Sequence, residues 1–308
     1  MMRIIHAANE LQAGSRKVCL AIGFFDGVHL GHQQIIRQTI ADARQHEAVA
    51  LVVTFDKHPS VIVAPDKVPA LIYARSQKYR AIESLGADAL LEITFDRAFS
   101  QLPGEEFIRA LARDLGKIHS ICVGADFVFG HKRGGTVTLL KQLGVELGFI
   151  VHGVAAVALD GQTVSSTRIR EVLRAGDFDA ASQMLGRAYT FAGEVMQGDQ
   201  LGHQLGFPTA NIVTTGLVLP PNGVYAAHAT AGGKNFRAVL NIGRRPTIQC
   251  PTPETRVEVH LLDFTGDLYG QEMEITFAAR LRDEQKFSSL DELKAQIARD
   301  IAAAKQVF

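Results

Sequence analysis

Gly23-Phe-Phe-Asp-Gly-Val-His-Leu-Gly-His-Gln33 is the stretch on which the reading of this chain turns. It follows a short apolar run, Val18 to Ile22, and leads into a segment whose Ile36, Ile40 and Ala43 recur at helical spacing. That pattern predicts a strand, a glycine-punctuated turn and a helix N-terminus. The first N–H groups of a helix have no intrahelical partner and carry about half a positive charge, so such a turn suits a phosphate. Gly27 and Gly31 would let a ligand approach the backbone with no Cβ in the way. His29 and His32 would fall on one side of the first turn.

Other readings of the stretch have to be weighed. It lacks the G-x-G-x-x-G order of a dinucleotide fingerprint, and the chain holds no G-x-x-x-x-G-K-[ST]; the nearest approach, Gly130 to Thr136, has no Lys in the required place. A histidine pair is also half of a metal site, yet the three cysteines, Cys19, Cys122 and Cys250, are scattered and no third ligand sits nearby in the sequence. A structural turn with buried histidines is the remaining alternative, and the residues by themselves leave it open.

The 308 residues are long for one core and sufficient for two domains. Hydrophobic content of 47% with 21% charged residues is ordinary for a globular chain. Lys plus Arg equals Asp plus Glu, 32 each, so there is no general electrostatic reason to expect nucleic acid or an anionic membrane as partner. Met1 to Glu10 carries no apolar core followed by a small-residue cleavage site, and no run approaches a membrane span. Without a disulfide framework, a cytoplasmic protein is expected.

Residues 18 to 160 alternate apolar runs (Val18 to Phe25, Ala48 to Phe55, Ala87 to Phe95, Ile121 to Asp126, Phe149 to Leu159) with helix-like stretches near 30–46, 75–86, 104–115 and 136–147. This predicts an α/β domain, Rossmann-like, with a parallel sheet covered by helices on both faces. Ligands of such sheets collect at the carboxyl ends of the strands. Polar residues follow the runs there: Asp26, His29 and His32 after the first; Asp56, His58, Pro59 and Ser60 after the second; Asp126 after the fourth; and Ser165-Ser-Thr-Arg-Ile-Arg170 beyond the fifth. Together they predict a pocket. In the last segment the hydroxyls suit a helix N-cap, and two arginines at the same helix start suit a polyphosphate.

Past Gly186 the pattern changes to glycines, prolines and short alternating segments: Phe191 to Val195, Gly223 to Ala229, Phe236 to Ile242, Arg256 to Phe264 and Glu272 to Phe277. They predict a small antiparallel β-barrel, with a domain boundary that gives 1–186 and 187–308. Ser289 and Glu292 have capping-box spacing ahead of a stripe of Leu290, Leu293, Ile297 and Ile301, so a terminal helix is expected to pack on the barrel. Thr209 and Asn211 offer oxygen ligands of the kind Mg²⁺ accepts, although composition alone reads Pro-Thr-Ala-Asn as a turn. Glu258, between Val257 and Val259, reads on its own as the solvated face of a strand.

The His-Leu-Gly-His of the opening stretch resembles the H-x-G-H signature of the nucleotidylyltransferases. The longer Phe-Asp-Gly-Val-His-Leu-Gly-His-Gln is similar to the flavin branch of that superfamily, the bacterial bifunctional riboflavin kinase/FMN adenylyltransferases or FAD synthetases. In the C-terminal half Gly-Phe-Pro-Thr-Ala-Asn, Asn222-Gly-Val-Tyr225, Asn241-Ile-Gly-Arg-Arg-Pro-Thr247, Val257-Glu-Val-His-Leu-Leu-Asp-Phe264 and Leu268-Tyr-Gly270 resemble the riboflavin kinase module in order and spacing.

The resemblance implies ATP-dependent phosphorylation of riboflavin to FMN by the C-terminal domain and adenylylation of FMN to FAD by the N-terminal one. It implies that His29 and His32 handle the ATP α-phosphate, with Gly23, Phe25, Asp26, Gly27 and Gly31 around it, and that Ser165, Ser166, Thr167 and Arg170 meet the outer phosphates. His58, Pro59 and Asp126 would meet flavin. In the barrel, Glu258 would be the general base, Thr209 and Asn211 the Mg²⁺ ligands, and Gly206, Pro208, Asn241, Gly243 and Arg282 contacts to ATP or flavin. His203-Gln204 stands where the family usually has a basic pair, and Phe24 where Asn is more frequent. Adenylyl transfer with an inactive barrel, and a non-catalytic flavin or nucleotide carrier, are the alternatives. ATP, riboflavin and FMN are the expected partners; self-association is left open.

Overall fold

The first four apolar runs of the N-terminal half become strands that are buried on both faces, and the fifth becomes a more exposed strand at the sheet edge. The structure, a computed structural model, describes residues 1–198, 202, 205–245 and 254–308. Leu201, His203, Gln204, Pro246, Thr247 and Cys250 lie outside the described residues. Contacts divide the chain into two units, Met1–Ala70 with Arg75–Arg168 and Met184–Gly186, and Leu71–Ala74 with Ile169–Gln183 and Arg187–Phe308.

The strands of the first unit are β1 (Arg3–Ile5), β2 (Val18–Ile22), β3 (Val49–Phe55), β4 (Ala89–Ile93), β5 (Ile118–Gly124), β6 (Val128–Phe129), β7 (Gly135–Thr136), β8 (Ile150–Val154), β9 (Ala158–Leu159) and β10 (Gln162–Thr163). Six of them form a sheet in the order β1-β4-β3-β2-β5-β8, parallel at every pairing. Its helices include α1 (Leu30–Gln45), α2 (Ser60–Val63), α3 (Arg75–Ser84), α4 (Arg97–Ser100), α5 (Gly104–Leu115) and α6 (Val137–Leu147). Because side chains alternate along a strand, Val18, Leu20 and Ile22 of β2 pack with Phe107, Ile108 and Leu111 of α5 and Leu140 and Leu143 of α6. Cys19 and Ala21 face the other way, against Ile36 and Ile40 of α1 and Ile82 of α3. Each Val, Leu, Ile or Phe side chain among these, fully buried, contributes about 1.5–3 kcal/mol.

Strand order places the ligand crevice. From β2 the chain adds β3 and then β4 on one side, and returns to lay β5 against the other side of β2. The carboxyl ends of β2 and β5 therefore flank the point where the winding reverses, the usual position of ligands on open α/β sheets. The segments after them begin with Gly23 and Ala125. The structure corrects the sequence reading in detail: β4, β5 and β8 are shorter or shifted relative to the apolar runs, and β1 is an addition to it, since three residues of edge strand carry no period.

α7 (Ser166–Ala175) and α8 (Phe178–Leu185) follow. In the second unit β11 (Thr190–Met196), β12 (Ala210–Ile212), β13 (Gly223–Ala231), β14 (Lys234–Arg245), β15 (Glu254–Leu261) and β16 (Glu272–Arg282) close into a barrel in the order β11-β12-β15-β14-β13-β16. Every pairing is antiparallel. The reading of Pro-Thr-Ala-Asn as a turn is corrected: Ala210 and Asn211 open β12, which pairs with both β11 and β15. The closing helix α9 (Leu290–Val307) starts as predicted, with the Glu292 N–H donating to Ser289 Oγ at 3.2 Å. Its stripe is divided in use. Ile301 and Ala304 pack on Val224, Ala226, Val239 and Leu262, Leu293 and Ile297 wall a cavity, and Leu290 is 58% exposed. Among the described residues no helix is long and apolar enough to cross a membrane.

Candidate functional site

In the first unit Gly23 ends β2 by donating its N–H to Val53 O at 3.1 Å, and the chain then turns tightly. Phe25 takes a left-handed conformation (φ 56°) and is buried, its ring so close to Gly23 that a Cβ there would lie 2.9 Å from it. A residue other than glycine at position 23 would displace the turn. Asp26 is buried as well, and its carbonyl accepts from Ser166 Oγ at 3.1 Å, so the serine motif meets the loop directly. His29 caps α1: its Nδ1 accepts the His32 N–H at 3.4 Å. That bond assigns the ring proton to Nε2, which makes Nε2 a donor. The His29 and His32 rings stack with centroids 3.6 Å apart, and Phe25 stands edge-on to His32 at 5.3 Å. Gly27 (φ 75°) provides the reversal that joins Phe25 to the helix start, and Gly31 lies against His29, where a Cβ would stand 3.3 Å from that ring.

The serine motif serves more than one purpose. Ser165 Oγ accepts the Arg168 N–H at 3.2 Å, an N-cap. The Arg168 guanidinium donates to Leu159 O and Gln162 O and so holds the β9–β10 hairpin. Thr167 is exposed; Arg170, one turn along α7, is buried and belongs by its contacts to the second unit.

Beside the loop lies a cavity of about 500 Å³ lined by Phe24, Phe55, Pro59, Phe95, Phe99, Phe127 and Phe129, with Arg97, Lys132 and Arg133 also on its wall. Of the three residues expected to meet flavin, Pro59 lines it. His58 packs edge-on to Phe24 at 4.9 Å, and its Nδ1 accepts the Ser60 N–H at 3.1 Å. Asp126 is exposed, just past β5. The phenylalanines escaped sequence reasoning although a signal was present: 17 Phe and no Trp, with Phe55 and Phe95 at strand ends. Burial pushes the thiol of Cys122, under α1, up to about 12.

In the barrel, register makes the site. Glu258 on β15 is paired with Asn211 on β12 and with Asn241 on β14, so residues from three strands stand in one row. All three line a cavity of about 570 Å³ between the barrel wall and α9, together with Thr209, Gly243 and Arg282. The reading of Glu258 as a solvated strand face is thus corrected: its face of β15 is covered by the cavity wall, while Val257 and Val259 are buried on the opposite face. Arg282 donates from Nε and Nη2 to Asp300 at 2.8 Å each, so its charge is met within the site. Gly206 and Pro208 are exposed; Pro208 O is 2.8 Å from His260 Nδ1, which donates to it.

A histidine-bearing loop at the switch point of a parallel sheet, and a barrel cavity in which Glu258 stands between Asn211 and Asn241, define two nucleotide-handling transferase modules in one chain. Residues 11–168 match the FAD synthetase family and residues 185–308 the riboflavin kinase family. The chain is 37% identical over 309 residues to the bifunctional riboflavin kinase/FMN adenylyltransferase of Escherichia coli K12, covering 100% of this chain and 98% of that protein. The corresponding proteins of Pseudomonas fluorescens (38% over 305 residues, 99% and 97% covered) and Bacillus subtilis (35% over 311 residues, 100% and 98% covered) are similar to the same extent. A solved structure described as a macrolide-efflux protein from Streptococcus pneumoniae superposes with a TM-score of 0.81 at 28% identity, covering 99% of each chain. The chain belongs to the bifunctional riboflavin kinase/FMN adenylyltransferase family, and the resemblance read from its motifs is borne out.

Proposed function

We infer that the chain converts riboflavin to FMN in its barrel and FMN to FAD in its α/β domain, each time with ATP. The observation that carries this reading is the coexistence of both candidate sites in a chain that covers 98% of its Escherichia coli bifunctional relative. We assign residues 1–186 to adenylyl transfer and 187–308 to phosphorylation, in a cytoplasmic enzyme.

For adenylyl transfer, the FMN phosphate attacks the α-phosphorus of ATP, an FMN–AMP phosphoanhydride bond forms, and pyrophosphate leaves. No protein nucleophile is required. His29 and His32 donate to the α-phosphate, Gly23, Phe25, Asp26, Gly27 and Gly31 shape the loop around it, and Ser165, Ser166, Thr167 and Arg170 hold the outer phosphates. Catalysis then consists of placing two anions together and stabilising the charge that develops. The aromatic cavity takes the isoalloxazine ring, with Pro59 on its wall and His58 and Asp126 at its margin.

For phosphorylation, Glu258 takes the proton of the riboflavin ribityl hydroxyl as that oxygen attacks the γ-phosphorus of ATP, the β,γ-anhydride bond breaks and ADP leaves. Asn211 and Asn241 on either side hold the carboxylate's position through the sheet register. Thr209 and Asn211 line the cavity with neutral oxygens, which suits Mg²⁺ bound largely through substrate phosphates and water. Among the described residues no cluster of three His, Cys, Asp or Glu competes as a metal site. Mg²⁺, when bound, would neutralise charge on the phosphate oxygens. Gly206, Pro208, Asn241, Gly243 and Arg282 complete the contacts to ATP and flavin.

Incubation of the purified chain with riboflavin, ATP and Mg²⁺, followed by chromatography, tests the reading. FMN and FAD are both expected. FMN without FAD refutes the adenylyl-transfer half, FAD formed only from added FMN leaves an inactive barrel, and neither product leaves a carrier. A His29→Ala/His32→Ala chain is expected to stop at FMN, and Glu258→Gln to make FAD from FMN but no FMN from riboflavin.

A further inference from the structure

The phosphate loop is held in a backbone shape that few residues adopt. Phe25, Gly27 and Val28 all have positive φ (56°, 75° and 42°), which is uncommon for a residue with a Cβ and an outlier for a β-branched one. Such a conformation persists where its surroundings impose it. Ser166 holds the loop from one side, through Asp26 O. Lys78 holds it from beneath.

Lys78 of α3 is buried, 6% exposed. Its Nζ donates to Thr54 Oγ1 and Phe55 O, both at 3.1 Å, and to Phe24 O at 3.4 Å; Thr54 Oγ1 in turn donates to Phe24 O at 3.0 Å. The three donors of an ammonium therefore meet three oxygens, two at the end of β3 and one at the start of the loop. Nζ also lies 4.6 Å from the Phe24 ring centroid and 5.7 Å from that of Tyr79. We propose that Lys78 is the positioning residue of the adenylyl-transfer site: its ammonium pins the Phe24 carbonyl to the end of β3 and so fixes the loop that carries His29 and His32. The proposal rests on the assignment of those histidines to adenylyl transfer.

Lys78 can lose its proton in an accessible pH range. Burial lowers its pKa to about 8, against the pull of Asp26 in the loop and Glu92 on β4, with a further push down from Arg75 on its own helix and a weaker pull from Asp56 after β3. As pH rises through about 8 the side chain gives up its charge and one of its three donors, the loop relaxes, and the transfer rate falls. Stability moves the other way. Between about 8 and about 10.4 the unfolded chain binds more protons at this side chain than the folded one, so its contribution to stability rises with pH. A lysine with a merely structural role would show the second effect without the first.

The test uses the full chain, with riboflavin kinase activity as the internal control for folding. FAD formation from FMN is followed as kcat and as KM for ATP from about pH 6 to about pH 10, beside FMN formation from riboflavin. The kcat for FAD formation is expected to fall above about pH 8 with KM little changed, and FMN formation to lack that limb. Lys78→Met is expected to lose about tenfold to a hundredfold in kcat for FAD formation while FMN formation persists. Lys78→Arg is expected to keep FAD formation and lose the limb, because a guanidinium stays charged. A limb that survives in Lys78→Arg, or a Lys78→Met chain within about twofold of the parent, overturns the proposal. Should Lys78→Met lose both activities by failing to fold, the parent profile and Lys78→Arg still decide. A His29→Ala/His32→Ala chain that makes FAD refutes the histidine assignment; an inactive one beside normal Lys78 variants refutes this proposal alone.

Discussion

Asp300→Asn should destabilise the barrel more than any surface change of equal size. Asp300 sits on α9 with its side chain 6% exposed, accepts Arg282 Nε and Nη2 at 2.8 Å each, and accepts Gln296 Nε2 at 2.8 Å. Arg282, 17% exposed, also donates from Nη1 to Asp283 O at 2.9 Å. Asn keeps the shape and one acceptor but removes the charge, so the guanidinium stays buried without its counter-ion. Breaking one side of a buried ion pair costs about 3–5 kcal/mol. The retained acceptor argues for the lower end, about 3 kcal/mol, which lowers the melting temperature by on the order of 10 °C. Arg282→Met/Asp300→Asn removes both charges and should recover most of the loss, since replacing a buried pair by neutral groups is often close to neutral. The chain has no Trp, so urea unfolding is followed by far-UV circular dichroism. An Asp300→Asn chain within about 1 kcal/mol of the parent, or a double variant no better than the single one, would refute the reasoning.

Gln33 donates from Nε2 to Val28 O at 2.9 Å and to Leu185 O at 2.7 Å, so Gln33→Ala should cost about 1–3 kcal/mol and slow FAD formation, measurable by denaturation and product assay. Ser289→Ala removes the cap of α9 and should cost about 1 kcal/mol, seen as an earlier loss of FMN formation on heating. The Cys122 thiol, raised to about 12 by burial, keeps its proton in the fold after the unfolded thiol has lost it, so its contribution to stability is intact below about pH 9 and declines from there toward 12. Comparing urea midpoints of the parent and Cys122→Ala at pH 8 and pH 10 isolates this slope, which is about 1.4 kcal/mol per unit.

What sequence made legible follows from what periodicity can encode. β2 reads as a strand because both its faces are buried and all five positions are apolar, and the loop after it reads as a phosphate site because Gly27, Gly31 and the helix start are contiguous. Lys78 carries no such signal. It is a lysine on a polar helix, and only the fold brings it beneath Phe24 and Thr54, which lie 54 and 24 residues away in the chain. The aromatic cavity is likewise assembled from separate loops, and Glu258 reads as a solvent-facing acid until the barrel closes and α9 covers that face. Local patterns suffice to single out a contiguous candidate site; candidate sites assembled across strands need their partners in space.

The row of Asn211, Glu258 and Asn241 has a consequence for how this chain can change over evolutionary time. A substitution in β15 alters one side chain, whereas inserting or deleting a single residue there turns the strand inside out, sending Glu258 into the barrel and Val257 or Val259 into the cavity. Length changes in β15 are therefore confined to steps of two, or to compensated pairs on its neighbours. Drift in this strand should leave its parity untouched even where its letters vary freely.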